Sequence, residues 1–197
     1  MSAAVRLVLA SRNPHKLREL GALLRPHVLE PLPEGVELPP ETGLTFADNA
    51  LAKGRAAAAT TGLPAVADDS GIEAAALGGA PGVRSARYAG EGATDEENLA
   101  KLLREVPEEG DRRVAYVCVL AYVEPSGEEY LAEGRCEGEL THRPRGSGGF
   151  GYDPAFVPRD SSNGRTMAEL SAAEKGAISH RGRAARVLLD RLREAVP

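Results

Sequence analysis

The sequence predicts a mixed α/β fold built on a twisted sheet with flanking helices. Three observations carry this. An apolar run at Val5–Ala10 passes at once into polar turn residues and an amphipathic helix, the opening of a βα unit. The nearly continuous apolar segment Arg113–Val123, rich in valine and tyrosine, reads as a buried central strand. Helix-start patterns recur between such runs: Thr45 with Asp48, Thr94 with Glu97 and Ser171 with Glu174.

Taken in order, Ser11-Arg12-Asn13-Pro14-His15 is turn chemistry, and Lys16 is expected to open a helix that aligns Leu17, Leu20 and Leu24. The proline-rich stretch Pro26–Pro40 predicts irregular chain with room for one short strand. A second helix is expected from Thr45 to Thr61, stopped by Gly62 and Pro64. Pro64–Ala67 reads as a short strand that ends at Asp68-Asp69-Ser70-Gly71. Gly78–Gly92 reads as a long loop, followed by a helix carrying Leu99, Leu102 and Leu103. Pro125-Ser126-Gly127 turns the central strand into a second one, Tyr130–Cys136. Arg145–Pro158 is a glycine-rich loop. Helices then start at Ser171 and Ser179, the last one aligning Ala184, Ala185, Leu188, Leu189 and Leu192. No internal repeat, linker or boundary stands out, so residues 1–197 are read as a single domain.

Composition narrows the function classes. The 197 residues carry a net charge of −5 with no basic run, which argues against an extended nucleic-acid interface. Cys118 and Cys136 have no metal-ligand spacing and are expected to be buried apolar side chains. Met1–Ala10 has no signal-peptide pattern, and no apolar stretch approaches the ~20 residues of a membrane span. The expectation is a soluble cytoplasmic protein. An acidic chain that binds phosphate must concentrate its cations locally.

Five clusters could carry chemistry. Ser11–Lys16 feeds a helix N-terminus, where free N–H groups and the dipole suit an anion. It lacks the spacing of a Walker A loop, and the plainer reading is a capped helix with a solvent-facing Lys16. Asn49 and Lys53 share a helix face and suit phosphate or ribose oxygens, or else form a solvated polar face. Asp68 and Asp69 are hard oxygen ligands at a strand end, fit for Mg²⁺, or else members of an Asx-turn with Ser70 and Gly71. In Gly148–Pro154 the glycines allow close backbone approach, Phe150 or Tyr152 could stack on a purine, and Asp153 could accept hydrogen bonds. The plainer reading, a tight loop with the two aromatics in the core, is compatible with that role. His180 and Arg181 follow Ser179 in a helix's first turn, where cations oppose the dipole and call for an anionic partner, or else they form an exposed basic patch. Together these supply a metal carboxylate, several phosphate-binding cations and a base-stacking loop, a combination that argues for a nucleotide.

The stretches SRNPHK, TGLTFADNALAKGRAA, ADDSGIEAAALGGAPGVRSARYAG, GGFGYDPAF and AELSAAEKGAISHRGRA occur in this order between Val5 and Leu192. In them the chain resembles the inosine/xanthosine triphosphate pyrophosphatases, which clear deaminated purine nucleotides. The resemblance implies a two-lobed α/β fold with a long central mixed sheet and an active-site cleft between the lobes. It also implies hydrolysis of inosine, deoxyinosine or xanthosine triphosphate to monophosphate and pyrophosphate, a Mg²⁺ requirement and a homodimer.

By the same resemblance, Ser11, Arg12, Asn13, Pro14, His15 and Lys16 would hold the triphosphate; Lys53, from its own cluster, is expected to help stabilise the leaving group with Lys16, Lys175 and Arg181. Asp69 would be the catalytic carboxylate and a metal ligand, with Ser70 beside it on the substrate. Phe150, Gly151, Tyr152 and Asp153 would hold base and sugar, with Lys175, His180 and Arg181 completing the pocket. The family often has a Glu-Glu pair before Thr-Gly-x-Thr-Phe; here it is Pro40-Glu41, leaving Glu41 as the second metal ligand. Gly54 and Arg84 read as local variation. Three alternatives remain at this stage: another triphosphate specificity such as a modified pyrimidine, a nucleotide sensor without turnover, and an RNA-binding module.

Overall fold

The structure, a computed structural model, describes residues 4–161 and 163–195. The readings over Met1–Ala10 and over residues 1–197 therefore extend in part outside the described residues.

The described residues form six strands and five α-helices: β1 (Arg6–Leu9), α1 (Pro14–Leu23), β2 (Val28–Glu30), α2 (Phe46–Thr61), β3 (Ala65–Ala74), α3 (Asp95–Glu105), β4 (Arg113–Val123), β5 (Glu129–Leu140), β6 (Phe156–Pro158), α4 (Ala172–Ile178) and α5 (His180–Ala195). The strands form one mixed sheet in the order β2-β1-β3-β4-β5-β6. β1 runs parallel to β2 and to β3, with Val8 opposite Ala65 and Leu9 opposite Val66. β5 and β6 are antiparallel, with Gly138 opposite Pro158.

Local chemistry accounts for the helix boundaries. Asn13 caps α1 by accepting the His15 and Lys16 backbone N–H groups, and Pro14 takes the first helical position. The helix thus opens before Lys16, where the sequence reading had placed its start. Thr45 and Asp48 close a reciprocal capping box on α2, which ends at Gly62 in the left-handed region, φ +66°. Thr94 with Glu97 and Ser171 with Glu174 do the same for α3 and α4.

Three strands depart from expectation. β3 does not stop at Ala67 but runs through Asp68, Asp69, Ser70 and Gly71 to Ala74, so the Asx-turn reading is wrong. Carboxylates are poor strand formers; here their cation partners, described below, compensate. β5 continues past Cys136 to Leu140, and Ala132, Gly134, Cys136, Gly138 and Leu140 alternate inward. The small size of most of these residues hides the period in the sequence. β6, within the expected glycine-rich loop, has only three residues.

The chain divides into two compact units. The first comprises Met1–Asp69, Cys118–Gly134 and Arg181–Pro197, the second Ser70–Val117 and Arg135–His180. The first has a core of Leu7, Leu9, Leu20, Val66, Leu120 and Leu188 with their neighbours. The second packs Ile72, Leu102, Val114, Tyr116, Phe156 and Met167. Among the described residues no helix is long and apolar enough to cross a membrane.

Candidate active site

In the first unit, side chains from β3, α1, α2 and α5 converge on two consecutive aspartates. Successive strand residues point to opposite faces, so Asp68 and Asp69 meet different partners. Asp68 is fully buried. Its Oδ1 lies 2.5 Å from Lys16 Nζ, and its Oδ2 accepts from Arg181 Nε at 2.9 Å. The Cys118 thiol donates to the same Oδ2 at 3.4 Å. Burial opposes the charged form of Asp68, but Arg181 and Lys16 outweigh it and hold the carboxyl well below the usual carboxylate range. Burial and the neighbouring Asp68 charge push the Cys118 thiol well up, so it stays a neutral donor.

Asp69 lies in a different field. Its Oδ2 accepts from Asn49 Nδ2 at 3.0 Å, and its Oδ1 is 3.3 Å from Lys53 Nζ. Lys53 also pairs with Glu41 Oε1 at 2.5 Å and donates to the Asp68 carbonyl at 2.8 Å. Burial raises the Asp69 carboxyl above its ordinary value; Lys53 opposes that shift and Glu41 adds to it. Burial lowers Lys53, but Asp69 and Glu41 more than restore its charge.

The expected solvated face of Asn49 and Lys53 is therefore wrong, because both are buried against β3. The Asn49 amide is set by its other end: Gly43 N–H donates to Asn49 Oδ1 at 2.8 Å, which leaves Nδ2 for Asp69. Gly43 has no alternative, since a Cβ there would lie 2.6 Å from Asp48 Cβ and 2.7 Å from Asn49 Oδ1.

The turn Ser11–Lys16 is built around its own cap. Ser11 Oγ accepts from Asn13 N–H, and Asn13 Oδ1 accepts from His15 N–H at 2.8 Å. Arg12 donates to the Val36 and Pro33 carbonyls and ties the turn to the proline-rich segment. His15 faces Arg18 at 2.9 Å. Lys16 is not a solvent-facing side chain but a partner of Asp68. Arg181 is buried between Asp68 and Glu19, whose Oε2 is 3.3 Å from Nη1. These carboxylates are the anionic partners that a cation in the first turn of α5 requires, and the exposed basic patch is excluded. Arg181 is spent on holding Asp68 in place.

Asp69 and Glu41 are two carboxylates that share the Lys53 ammonium, at 3.3 and 2.5 Å. Among the described residues no group of three or more histidine, cysteine, aspartate or glutamate side chains forms a self-sufficient metal cage. A pair of carboxylates is the set Mg²⁺ takes when water and substrate phosphates supply the remaining ligands, so these residues fit it.

In the second unit, Asp153 organises the loop ahead of β6. Its buried Oδ2 accepts from Phe150 N–H at 2.9 Å and from Lys175 Nζ at 2.7 Å. Lys175 Nζ also lies 5.2 Å from the centre of the half-buried Phe150 ring. Gly151, at φ +62°, donates its N–H to Asp95 Oδ2 at 2.7 Å. Tyr152 is a core residue whose hydroxyl donates to the Ser85 carbonyl at 2.7 Å, so it is not a stacking surface. Phe150, half-buried, is the aromatic of this loop that lies outside the core. Ser70 follows Asp69 on β3, half-buried. His180 is buried and lies parallel to Tyr116.

The sequence reading missed Asp68 as the centre of the charge cluster, together with Cys118, Glu19 and Gly43. The adjacent carboxylates at 68 and 69 were the signal for the first; nothing local marks the other three.

The Ham1 family pattern matches residues 7–191. The chain is 50% identical over 198 residues to the dITP/XTP pyrophosphatase of Pectobacterium atrosepticum, covering 96% of this chain and 99% of that one. It is 50% identical to the dITP/XTP pyrophosphatase of Yersinia pseudotuberculosis with the same coverage. Among solved structures it is similar to a HAM1 protein from Coxiella burnetii, with a TM-score of 0.85, 46% identity and coverage of 97% of this chain and 100% of that chain. The Staphylococcus aureus Ham1 protein gives a TM-score of 0.84 at 38% identity, covering 96% of this chain and 98% of that chain.

Proposed function

The chain belongs to the Ham1 family, and on that premise we infer that it is a nucleoside triphosphate pyrophosphatase acting on deaminated purine nucleotides. It hydrolyses inosine, deoxyinosine and xanthosine triphosphates to the monophosphate and pyrophosphate. The single observation that carries this reading is the buried Asp69 held by Asn49 and Lys53 beside Glu41, a raised carboxyl among phosphate-binding groups.

In the mechanism, Asp69 orients a water molecule toward the α-phosphorus and accepts its proton. The water oxygen forms a bond to the α-phosphorus, the bond to the bridging oxygen breaks, and pyrophosphate leaves with that electron pair. Lys53 keeps Asp69 and Glu41 from repelling each other and directs positive charge at the phosphates. Lys16, fixed by Asp68, binds the triphosphate tail with Ser11, Arg12, Asn13, Pro14 and His15; the first N–H groups of α1 are taken up by the Asn13 cap, so α1 contributes the field of its dipole and not free donors. Asp69 and Glu41 would hold Mg²⁺, which when bound would supply charge neutralisation at the phosphate oxygens.

Base recognition is assigned to Phe150, Gly151, Asp153, Lys175 and His180, with Ser70 beside Asp69 on the substrate. Phe150 offers the stacking face. Hypoxanthine and xanthine carry a 6-oxo group where adenine carries an amine, and a His180 ring donor favours the oxo group. A mismatched buried donor is costly, and this is the source of discrimination. We further propose that residues 1–197 act as one domain, that the protein is cytoplasmic, and that it forms the homodimer the resemblance implies.

A sensor without turnover would not need a raised carboxyl beside an ammonium, and the acidic balance argues against RNA. The test is product identity: inosine triphosphate should yield inosine monophosphate and pyrophosphate in equal amounts. Inosine diphosphate with inorganic phosphate would overturn the reaction assignment, and binding without products would support the sensor.

A further inference from the structure

We propose that Tyr116 is a specificity-positioning residue that sets the plane of the His180 imidazole and thereby the direction in which its ring N–H meets the base edge. The inference rests on the reading of His180 as a base-edge donor and goes beyond it by identifying what aims that donor.

The two rings are face to face. Their centroids are 4.5 Å apart and their planes differ by 13°. Both residues are buried, His180 at 2% and Tyr116 at 6% exposure, so the stack is not a surface contact that solvent could loosen. Tyr116 is itself backed by Phe156, with centroids 4.6 Å apart and planes tilted by 35°. Phe156 is completely buried, and Gly138 on the neighbouring strand makes room for it. A Cβ at Gly138 would lie 2.9 Å from two Phe156 ring carbons and would collide with the Val157 carbonyl. Gly138, Phe156, Tyr116 and His180 therefore form a continuous column in the second unit.

The column matters because an imidazole donates in its own plane. The torsion that sets a histidine ring plane is broad and roughly two-fold, so its backbone alone does not fix the plane. A parallel aromatic removes that freedom and leaves two flip states with a shared plane. A donor held this way keeps its direction whether or not a base is present, and such preorganisation makes a polar group discriminate. Tyr116 lies on the long buried strand β4, whereas His180 is the first residue of α5.

The prediction separates positioning from general structure. In the wild type, turnover of inosine triphosphate over adenosine triphosphate establishes the underlying reading. Tyr116→Phe keeps the ring and should keep the ratio of kcat/KM between the two substrates. Tyr116→Leu removes the ring and should lower the ratio by about tenfold or more, mainly through a raised KM for inosine triphosphate. A purely structural role would lower both activities in proportion. An unchanged ratio in a folded Tyr116→Leu protein overturns the proposal, as does a lost ratio in Tyr116→Phe. NMR of the wild type decides the matter even if the leucine variant does not fold. The His180 ring protons should show an upfield ring-current shift, retained in Tyr116→Phe, and should move on addition of inosine monophosphate. His180 resonances at ordinary positions, or unmoved by that nucleotide, overturn the positioning role while leaving the pyrophosphatase reading to stand on turnover.

Discussion

Asp68 and Asp69 are adjacent on β3 yet occupy opposite electrostatic surroundings. Asp68, locked between Lys16 and Arg181, is held well below the usual carboxylate range, whereas burial beside Glu41 keeps Asp69 raised despite Lys53. On the proposed mechanism two carboxylates pushed apart in this way divide the work: Asp68 anchors cations and Asp69 handles a proton. Asp69→Asn should cut kcat/KM at least about a hundredfold while changing unfolding free energy by less than about 1 kcal/mol. Asp68→Asn should lower stability by about 3–5 kcal/mol, because it strips a buried ion network of its shared anion. Urea unfolding and steady-state rates on the two variants check this; equal stability losses would contradict the division of roles.

Gly43 fixes the Asn49 amide through a 2.8 Å hydrogen bond and has no room for a side chain. Gly43→Ala should displace Asn49 from Asp69 and reduce kcat/KM about tenfold or more with little change in the melting temperature. Full activity in that variant would show that the amide does not orient Asp69.

Gly54, which read as local variation, has a packing reason. A Cβ at this position would lie 2.8 Å from Val123 Cγ2 and 3.6 Å from Ala67 Cβ. α2 therefore approaches β3 and β4 closely, and this approach brings Lys53 to Asp69. The overpacking cost of ~1–3 kcal/mol exceeds the ~1 kcal/mol that alanine gains in a helix. Gly54→Ala should lower stability by about 1 kcal/mol, measurable by denaturant titration; a stabilised variant would contradict this account of the packing.

His27 supplies a pH dependence outside the site. It is buried, and its Nδ1 accepts the Val5 N–H at 3.2 Å. Burial, helped by the Arg193 charge, lowers its pKa below the ordinary value. The unfolded chain, titrating near ~6.5, binds the proton first. The stabilisation is full above that pH and is lost as pH falls from ~6.5 through the depressed folded value. Chemical denaturation at pH 7.5 and 5.5 should show a larger drop in the wild type than in His27→Gln; identical drops would remove His27 as the source.

Much of the fold was legible because its signals are local. Capping boxes at Thr45, Thr94 and Ser171 and the valine-rich β4 each fall within a few residues. β3 was cut short because Asp68 and Asp69 oppose strand propensity, and their compensation comes from Lys16, Lys53 and Arg181, far away in sequence. The same distance hid the burial of Asn49 and Lys53, which a helical period cannot distinguish from a solvated face. The sequence left open whether Phe150 or Tyr152 stacks or lies in the core, because an aromatic beside glycines reads alike in both cases; the structure puts Tyr152 in the core.

The most direct test of the central claim is pyrophosphate release from inosine triphosphate by the wild type and by Asp69→Asn, with adenosine and guanosine triphosphates in parallel, with and without Mg²⁺. The account predicts Mg²⁺-dependent release that favours inosine triphosphate over both and is lost in Asp69→Asn and on chelation. Equal release from all three triphosphates would contradict the specificity, and undiminished release by Asp69→Asn would contradict the site.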